Sequence, residues 1–136
     1  MTRFDLAEVK RTASTSPYEA AFGFSRAVRV GNRILVSGTA PVEPDGSSTP
    51  GDAAAQTRRC FAIILSAIKE LGGSVNDVVR TRMYIADPAD ADAIGAVHGE
   101  IFRDIRPAST MVVAALLRPE WRIEIEAEAL LGNENR

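Results

Sequence analysis

The chain has one cysteine, one histidine and one tryptophan in 136 residues. A single thiol cannot close an internal disulfide and cannot supply a cysteine-based zinc site. One imidazole with one thiol offers too few ligands for a transition-metal centre, so no metal is expected. No Ser-His-Asp order can be singled out. There is no glycine-rich phosphate loop either: Gly72-Gly73 stands at the end of a helical pattern and lacks the spacing and the lysine. An excess of positive charge is also missing. Sixteen Lys and Arg face 18 Asp and Glu, a formal net charge of -2, which leaves no basic footprint for nucleic acid. No apolar run reaches the length of a membrane span. The N-terminal MTRFDLAEVKR lacks the continuous apolar core of a signal peptide, so a cytoplasmic location is the default expectation.

What is present fits one domain, residues 1–136, long enough to bury a single core. Residues 1–21 show little periodicity and read as an N-terminal loop or extension, with Thr12 to Pro17 rich in Ser and Thr. Phe24 to Val30 and Arg33 to Thr39 are strand-like, joined by Gly31-Asn32, a two-residue hairpin signal. Residues 41–51 are loop by composition. Asp52 can cap a helix to Leu71 whose stripe is Cys60, Phe61, Ile64, Leu65, Ile68 and Leu71, with Gly72-Gly73 as its stop. Within that stripe Cys60 reads as a buried structural thiol. Asp77 to Ala86 is a strand. Asp90 can cap a second helix to about Asp104, with Ile94, Val97, Ile101 and Phe102 on its apolar side.

The stretch from Ile105 to Leu130 reads as two strands joined by a short connection. Arg106-Pro107 breaks the preceding helix. Thr110 to Ala114 is the first strand, Arg118-Pro119-Glu120 the turn, and Arg122 to Ala129 the second strand. That last strand alternates strictly: Ile123, Ile125, Ala127 and Ala129 point one way, Arg122, Glu124, Glu126 and Glu128 the other. Two helices cannot cover both faces of a five- or six-stranded sheet, so the architecture expected is α+β, two layers, with one sheet face uncovered. Arg80, Arg82 and Tyr84 share one side of the third strand, opposite Val79, Thr81, Met83 and Ile85. If they and the glutamates lie on the uncovered face, it is either a solvated surface with weak ion pairs or a subunit interface holding a polar pocket. The charges alone point to the solvated surface; some of Leu35, Tyr84, Val112 and Trp121 must lie there too, which keeps the interface reading in play.

The only histidine, His98, sits in the second helical pattern, where a lone His is more often structural than a general base. Tyr18, Ser37, Ser109 and Thr110 are hydroxyls near strand ends, where backbone satisfaction is the commoner role.

Three segments together resemble the YjgF/Rid family, the reactive intermediate deaminases also known as endoribonuclease L-PSP. They are SRAVRVGNRILVSGTAP at 25–41, GDAAAQTRRCFAIILSAIKELGGSVNDVVRTRMYIAD at 51–87, and RPASTMVV with IEIEAEAL within 106–130. The resemblance implies a chorismate-mutase-like α+β domain, a homotrimer, a small-molecule cleft at each subunit interface and no cofactor. It implies hydrolysis of enamines and imines, such as 2-aminoacrylate, to a keto acid and ammonia. By the same resemblance Glu124 matches the glutamate that positions water or shuttles a proton, and Ser37-Gly38 match the pocket serine and glycine. Phe24 takes the place of a tyrosine, with Tyr18 as the alternative. His98 falls where active members usually have an aromatic residue, and Gly95 where many have asparagine. The family's carboxylate-binding arginine is replaced: Pro107-Ala108-Ser109-Thr110 has Ser109 at that position. A hydroxyl cannot reproduce a bidentate guanidinium contact. The chain is therefore expected in an arginine-lacking branch, with Arg82 as a candidate substitute cation and backbone groups near Ser109-Thr110 orienting the substrate. Two readings follow, an imine or enamine deaminase and a non-catalytic metabolite-binding or regulatory trimer. A ribonuclease finds no support in the charge.

Overall fold

The computed structural model describes residues 8–132; the expectations for the first seven residues and for the polar tail from Asn133 fall outside them. Six strands form one sheet in the order β1-β2-β3-β6-β4-β5. They are β1 (Val9–Thr12), β2 (Ala27–Val30), β3 (Arg33–Thr39), β4 (Val78–Ile85), β5 (Ala108–Val113) and β6 (Ile123–Leu130). Among them run α1 (Pro17–Phe22), α2 (Ala53–Glu70) and α3 (Ala91–Phe102). The α+β two-layer architecture is as expected from the alternation: β6 buries Ile123, Ile125, Ala127 and Ala129 and turns Glu124, Glu126 and Glu128 to the other face. Onto the buried row pack Cys60, Phe61, Ile64 and Ile68 of α2, all at most 1% exposed. The Phe61 and Phe102 rings meet edge to face at 5.3 Å and lock α2 against α3.

Local signals explain the ends of α2. Asp52 accepts from Ala55 N at 2.9 Å. Gly72 takes a left-handed φ of 96°, and Gly72 N and Gly73 N return to Lys69 O and Ile68 O at 3.0 and 2.9 Å. That is the doubly bonded helix stop that a glycine after the last turn allows. Between β2 and β3, Gly31 at φ 59° makes the two-residue turn.

Four expectations are corrected. Residues 9–12 and 17–22 are elements, not loop. β1 is an edge strand whose only buried residue is Thr12, so no alternation marks it. α1 is too short to show a helical period, although Ser16 caps it, Pro17 opens it and Gly23 closes it at φ 79°. Second, the two strands of the 105–130 stretch are not neighbours. β5 starts at Ala108 and runs parallel to β4, while β6 pairs antiparallel with β4 on the other side. The β4–α3–β5 crossover that parallel pairing requires puts β5 at the sheet edge. Third, Val79 is 44% exposed while Val78 is buried, because the register slips between Val78 and Arg80. A one-residue bulge turns the side chain over. Fourth, Asp90 lies within a short 3₁₀ turn (Pro88–Asp90) at φ -85° and ψ -4° and makes no side-chain cap bond; Asp87 caps that turn by accepting from Ala89 N at 2.9 Å.

The face away from α2 and α3 carries Leu35, Arg80, Arg82 and Tyr84 with the glutamates of β6, and Val112 beside Tyr84 in register. Trp121 is not on it. It is 6% exposed and its indole N–H donates to Ser48 Oγ at 3.0 Å. Among the described residues no helix is long and apolar enough to cross a membrane.

Candidate active site

Glu124 is the second residue of β6, where β3 and β6 fall out of register between Val36 and Thr39. That irregularity places Gly38 beside the glutamate. Gly38 has no side chain, and the glutamate carboxylate uses the space: a Cβ on Gly38 would stand 2.5 Å from Glu124 Oε2. On the other side of the same residue, Arg26 Nη2 donates to Gly38 O at 2.6 Å. Gly38 is thus a seat between a carboxylate and a guanidinium.

Both groups open into a cavity of about 730 Å³. Its walls include Phe24, Arg26, Gly38, Arg59, Trp121 and Glu124, and its outer side is the segment from Thr12 to Tyr18 with Phe22 of α1. The outer wall is held down by Glu19, which is buried and accepts from Ser14 N at 2.9 Å and from the Ser14 hydroxyl. Arg59 is already engaged, donating to Val42 O at 2.8 Å and lying 3.5 Å from Glu43. Arg118 stacks over Trp121 with 5.4 Å between its guanidinium carbon and the ring centroid, so one edge of the cavity is aromatic and cationic together.

Glu124 itself makes no direct hydrogen bond or ion pair with any described residue. Its burial pushes its pKa above the ordinary carboxylate value. Arg26 opposes that rise and Glu126, further along the strand, adds to it. Cys60 is buried behind the site with its thiol pKa pushed up by desolvation, which makes it a packing residue and not a nucleophile.

The residues singled out from sequence divide among four places. Phe24, Gly38 and Glu124 line the cavity together, and so does Tyr18. Ser37 does not: its hydroxyl donates to Ser25 O at 2.7 Å and its N–H to Arg26 O at 3.0 Å, which clamps the start of β2 to β3. Arg82 lies on the uncovered face in a separate depression of about 80 Å³ with Leu35, Arg80 and Glu126. There it stands 3.7 Å from Glu126, which also accepts from the Tyr84 hydroxyl at 2.6 Å. Thr110 is beside Arg82 in register and is exposed. His98 and Ser109 are on the helix side. Thr81 Oγ1 donates to Ser109 Oγ at 2.8 Å and lies 2.8 Å from His98 Nε2. A hydroxyl has one proton, so with Thr81 donating to Ser109 the imidazole Nε2–H donates to Thr81. Burial lowers the His98 pKa by disfavouring the charged imidazolium. Gly95, on α3, has open space around its Cα. Within one chain, then, neither Ser109 nor Arg82 lines the cavity of Glu124.

Arg26 and Glu19 were not visible from sequence. One arginine ahead of a strand carries no pattern of its own; burial beside Glu124 comes from the pairing of Arg26 N with Thr12 O and of Arg26 O with Ser37 N, contacts distant along the chain.

Comparison with known proteins identifies the family. The family model described as endoribonuclease L-PSP matches residues 14–131. The crystal structure of a YjgF-family protein from Mycobacterium tuberculosis superposes with a TM-score of 0.82 at 40% identity, covering 90% of this chain and 99% of that one. The 2-iminobutanoate/2-iminopropanoate deaminase of Escherichia coli is 32% identical over 126 residues, 90% of this chain and 98% of its own. The 3-aminoacrylate deaminase RutC of Acinetobacter baylyi is 36% identical over 104 residues, 76% of this chain and 82% of its own. With a family match running from the loop before α1 to just past the end of β6, and relatives of this identity and coverage, the chain belongs to the YjgF/Rid family.

Proposed function

We propose that this protein hydrolyses a small imine, or the enamine that tautomerises to it, to a carbonyl compound and ammonia. The observation that carries this reading is the Glu124 carboxylate, partly buried, unpaired and facing a cavity large enough for a metabolite. Its raised pKa brings it nearer to the range where one group can both accept and return a proton. In the forward reaction Glu124 takes a proton from water as the oxygen bonds to the imine carbon. The C=N π pair moves to nitrogen, which takes up a proton, giving a carbinolamine. Glu124 then returns its proton to the nitrogen, the C–N bond breaks, and the carbonyl forms as the hydroxyl loses its proton. Water is consumed, ammonia is released and no electrons are transferred. Two relatives whose names state imine and aminoacrylate deamination support the reaction class. The test is release of ammonia and keto acid from freshly generated 2-aminoacrylate and 2-iminobutanoate. Turnover above the spontaneous rate is expected; hydrolysis at the spontaneous rate for both, and for bulkier imino acids, would remove the enzyme reading.

One observation favours the second reading, a metabolite-binding trimer without turnover. Ser109 stands where the resemblance expects an arginine, and its hydroxyl is tied to Thr81 away from the cavity. In either reading the uncovered face is where neighbouring copies would meet, with Leu35, Val112 and Leu130 exposed by 40, 42 and 45%. A mass in solution of three times 14.6 kDa is expected by light scattering. A monomer at micromolar concentration would remove the intersubunit cleft.

A further inference from the structure

Arg26 is 8% exposed. Apart from the bond from Nη2 to Gly38 O, its guanidinium has little to hold: its Nε–H is buried without an acceptor. Among the described residues no carboxylate lies within ion-pair distance of it. Glu19 and Glu124 act on it only through space, and Glu19 is already bound to Ser14. Phe24 covers one side of the guanidinium, with 5.8 Å from its carbon to the ring centroid. A buried arginine stays protonated, and an unpaired buried charge is costly. A fold keeps such a group where a ligand completes it. The open side here is the cavity wall next to Glu124.

We propose that Arg26 is the group that reads the substrate's anionic end in this protein, binding an α-carboxylate while Glu124 works on the adjacent carbon. The chemical class selected is then an α-imino acid, and not a neutral imine. Gly38 sets the pairing, since its carbonyl holds the guanidinium and its bare Cα admits the glutamate. The anchor sits ahead of β2, across the sheet from Ser109 on the far edge strand. The inference rests on the Glu124 cavity being the substrate site, but it does not require turnover.

The first experiment is therefore a binding measurement on the wild-type protein. Calorimetric titration with 2-oxobutanoate, the product-like keto acid, is compared with its neutral amide while the Nε–H resonance of Arg26 is followed by NMR. Acid binding that saturates together with a shift of that resonance, with the amide binding about 10- to 100-fold more weakly, is expected for a charge-assisted contact. Acid binding with the Arg26 resonance unmoved, or equal binding of acid and amide, overturns the proposal. So does no acid binding at all. The second arm uses Arg26→Gln and Arg26→Lys, each checked by thermal melting. Both should lose the preference for acid over amide, the glutamine fully and the lysine in part, because an ammonium keeps the charge without the fork. For turnover the loss should fall mainly on KM for the imino acid. An equal fall in kcat for imino acid and imino amide would show that Arg26 only supports Glu124. Acid binding through Arg26 without ammonia release would sustain this inference while removing the hydrolase reading; ammonia release that ignores Arg26 would do the reverse.

Discussion

Glu124→Gln is expected to lower turnover by about 100- to 10,000-fold, the span that general acid–base catalysis supplies. The amide keeps the shape of the side chain and its seat against Gly38 but can neither take a proton from water nor return one. Stability should move the other way or not at all. The folded-state pKa of Glu124 is raised by burial, so the fold holds this proton more tightly than the unfolded chain does. Its ionisation therefore weakens the fold as pH rises from the unfolded carboxylate value of about 4.5 through the folded one, and the contribution is fully favourable only below that window. Glutamine removes that penalty. An inactive variant that melts no lower than wild type at neutral pH is the expected pair of results. The wild-type rate should in turn fall on the acid side with an apparent pKa above the ordinary carboxylate value, a limb missing from any residual activity of Glu124→Gln. A variant that turns over normally would move the chemistry to another residue, while unchanged ligand binding without any wild-type turnover would favour the binding trimer.

Gly38→Ala is expected to be nearly as damaging, at about 100-fold in kcat, by displacement and not by loss of a functional group. The added methyl would meet Oε2 at 2.5 Å and the carboxyl carbon at 3.4 Å. Gly38 is not among the residues of positive φ, so alanine fits its backbone conformation. The atom that must yield is the end of a flexible side chain, so the melting temperature should change little while the carboxylate swings out of place. Kinetics and melting on the same preparation check this. Full activity would mean that the seated position of Glu124 is not the working one. A large loss of stability would mean that the clash is absorbed by β3 and not by the side chain.

Several features were legible in the chain because the signal and the force are local. Asp52 and Gly72-Gly73 bound α2 through bonds to residues within one turn. Gly31-Asn32 makes the β2–β3 hairpin for the same reason. The alternation of β6 assigns its two faces without knowledge of any partner, and so anticipated that Glu124 would lie off the helix side. The short elements α1 and β1 escaped because one turn of helix and four residues at a sheet edge are stabilised by neighbours and not by a pattern. Val79 was placed on the wrong face because a bulge breaks the period of two without leaving a mark in the residues themselves.

The candidate site divides in the same way. Residue types and their resemblance to a family pointed to Glu124 with Phe24, Ser37, Gly38, Arg82, His98, Ser109 and Thr110 as one pocket, and of these Glu124, Gly38 and Phe24 share the cavity. Only the tertiary structure decided which charges accompany them. Arg82 is adjacent to Glu126 across the sheet and is used there. Ser109 is turned toward Thr81 and His98 by the parallel pairing of β5 with β4. Arg26, unremarked in the sequence, is drawn under the N-terminal segment and set against Gly38. The physical reason is that a side chain's identity is written in one residue, whereas its desolvation and its partners depend on strands brought together from across the chain.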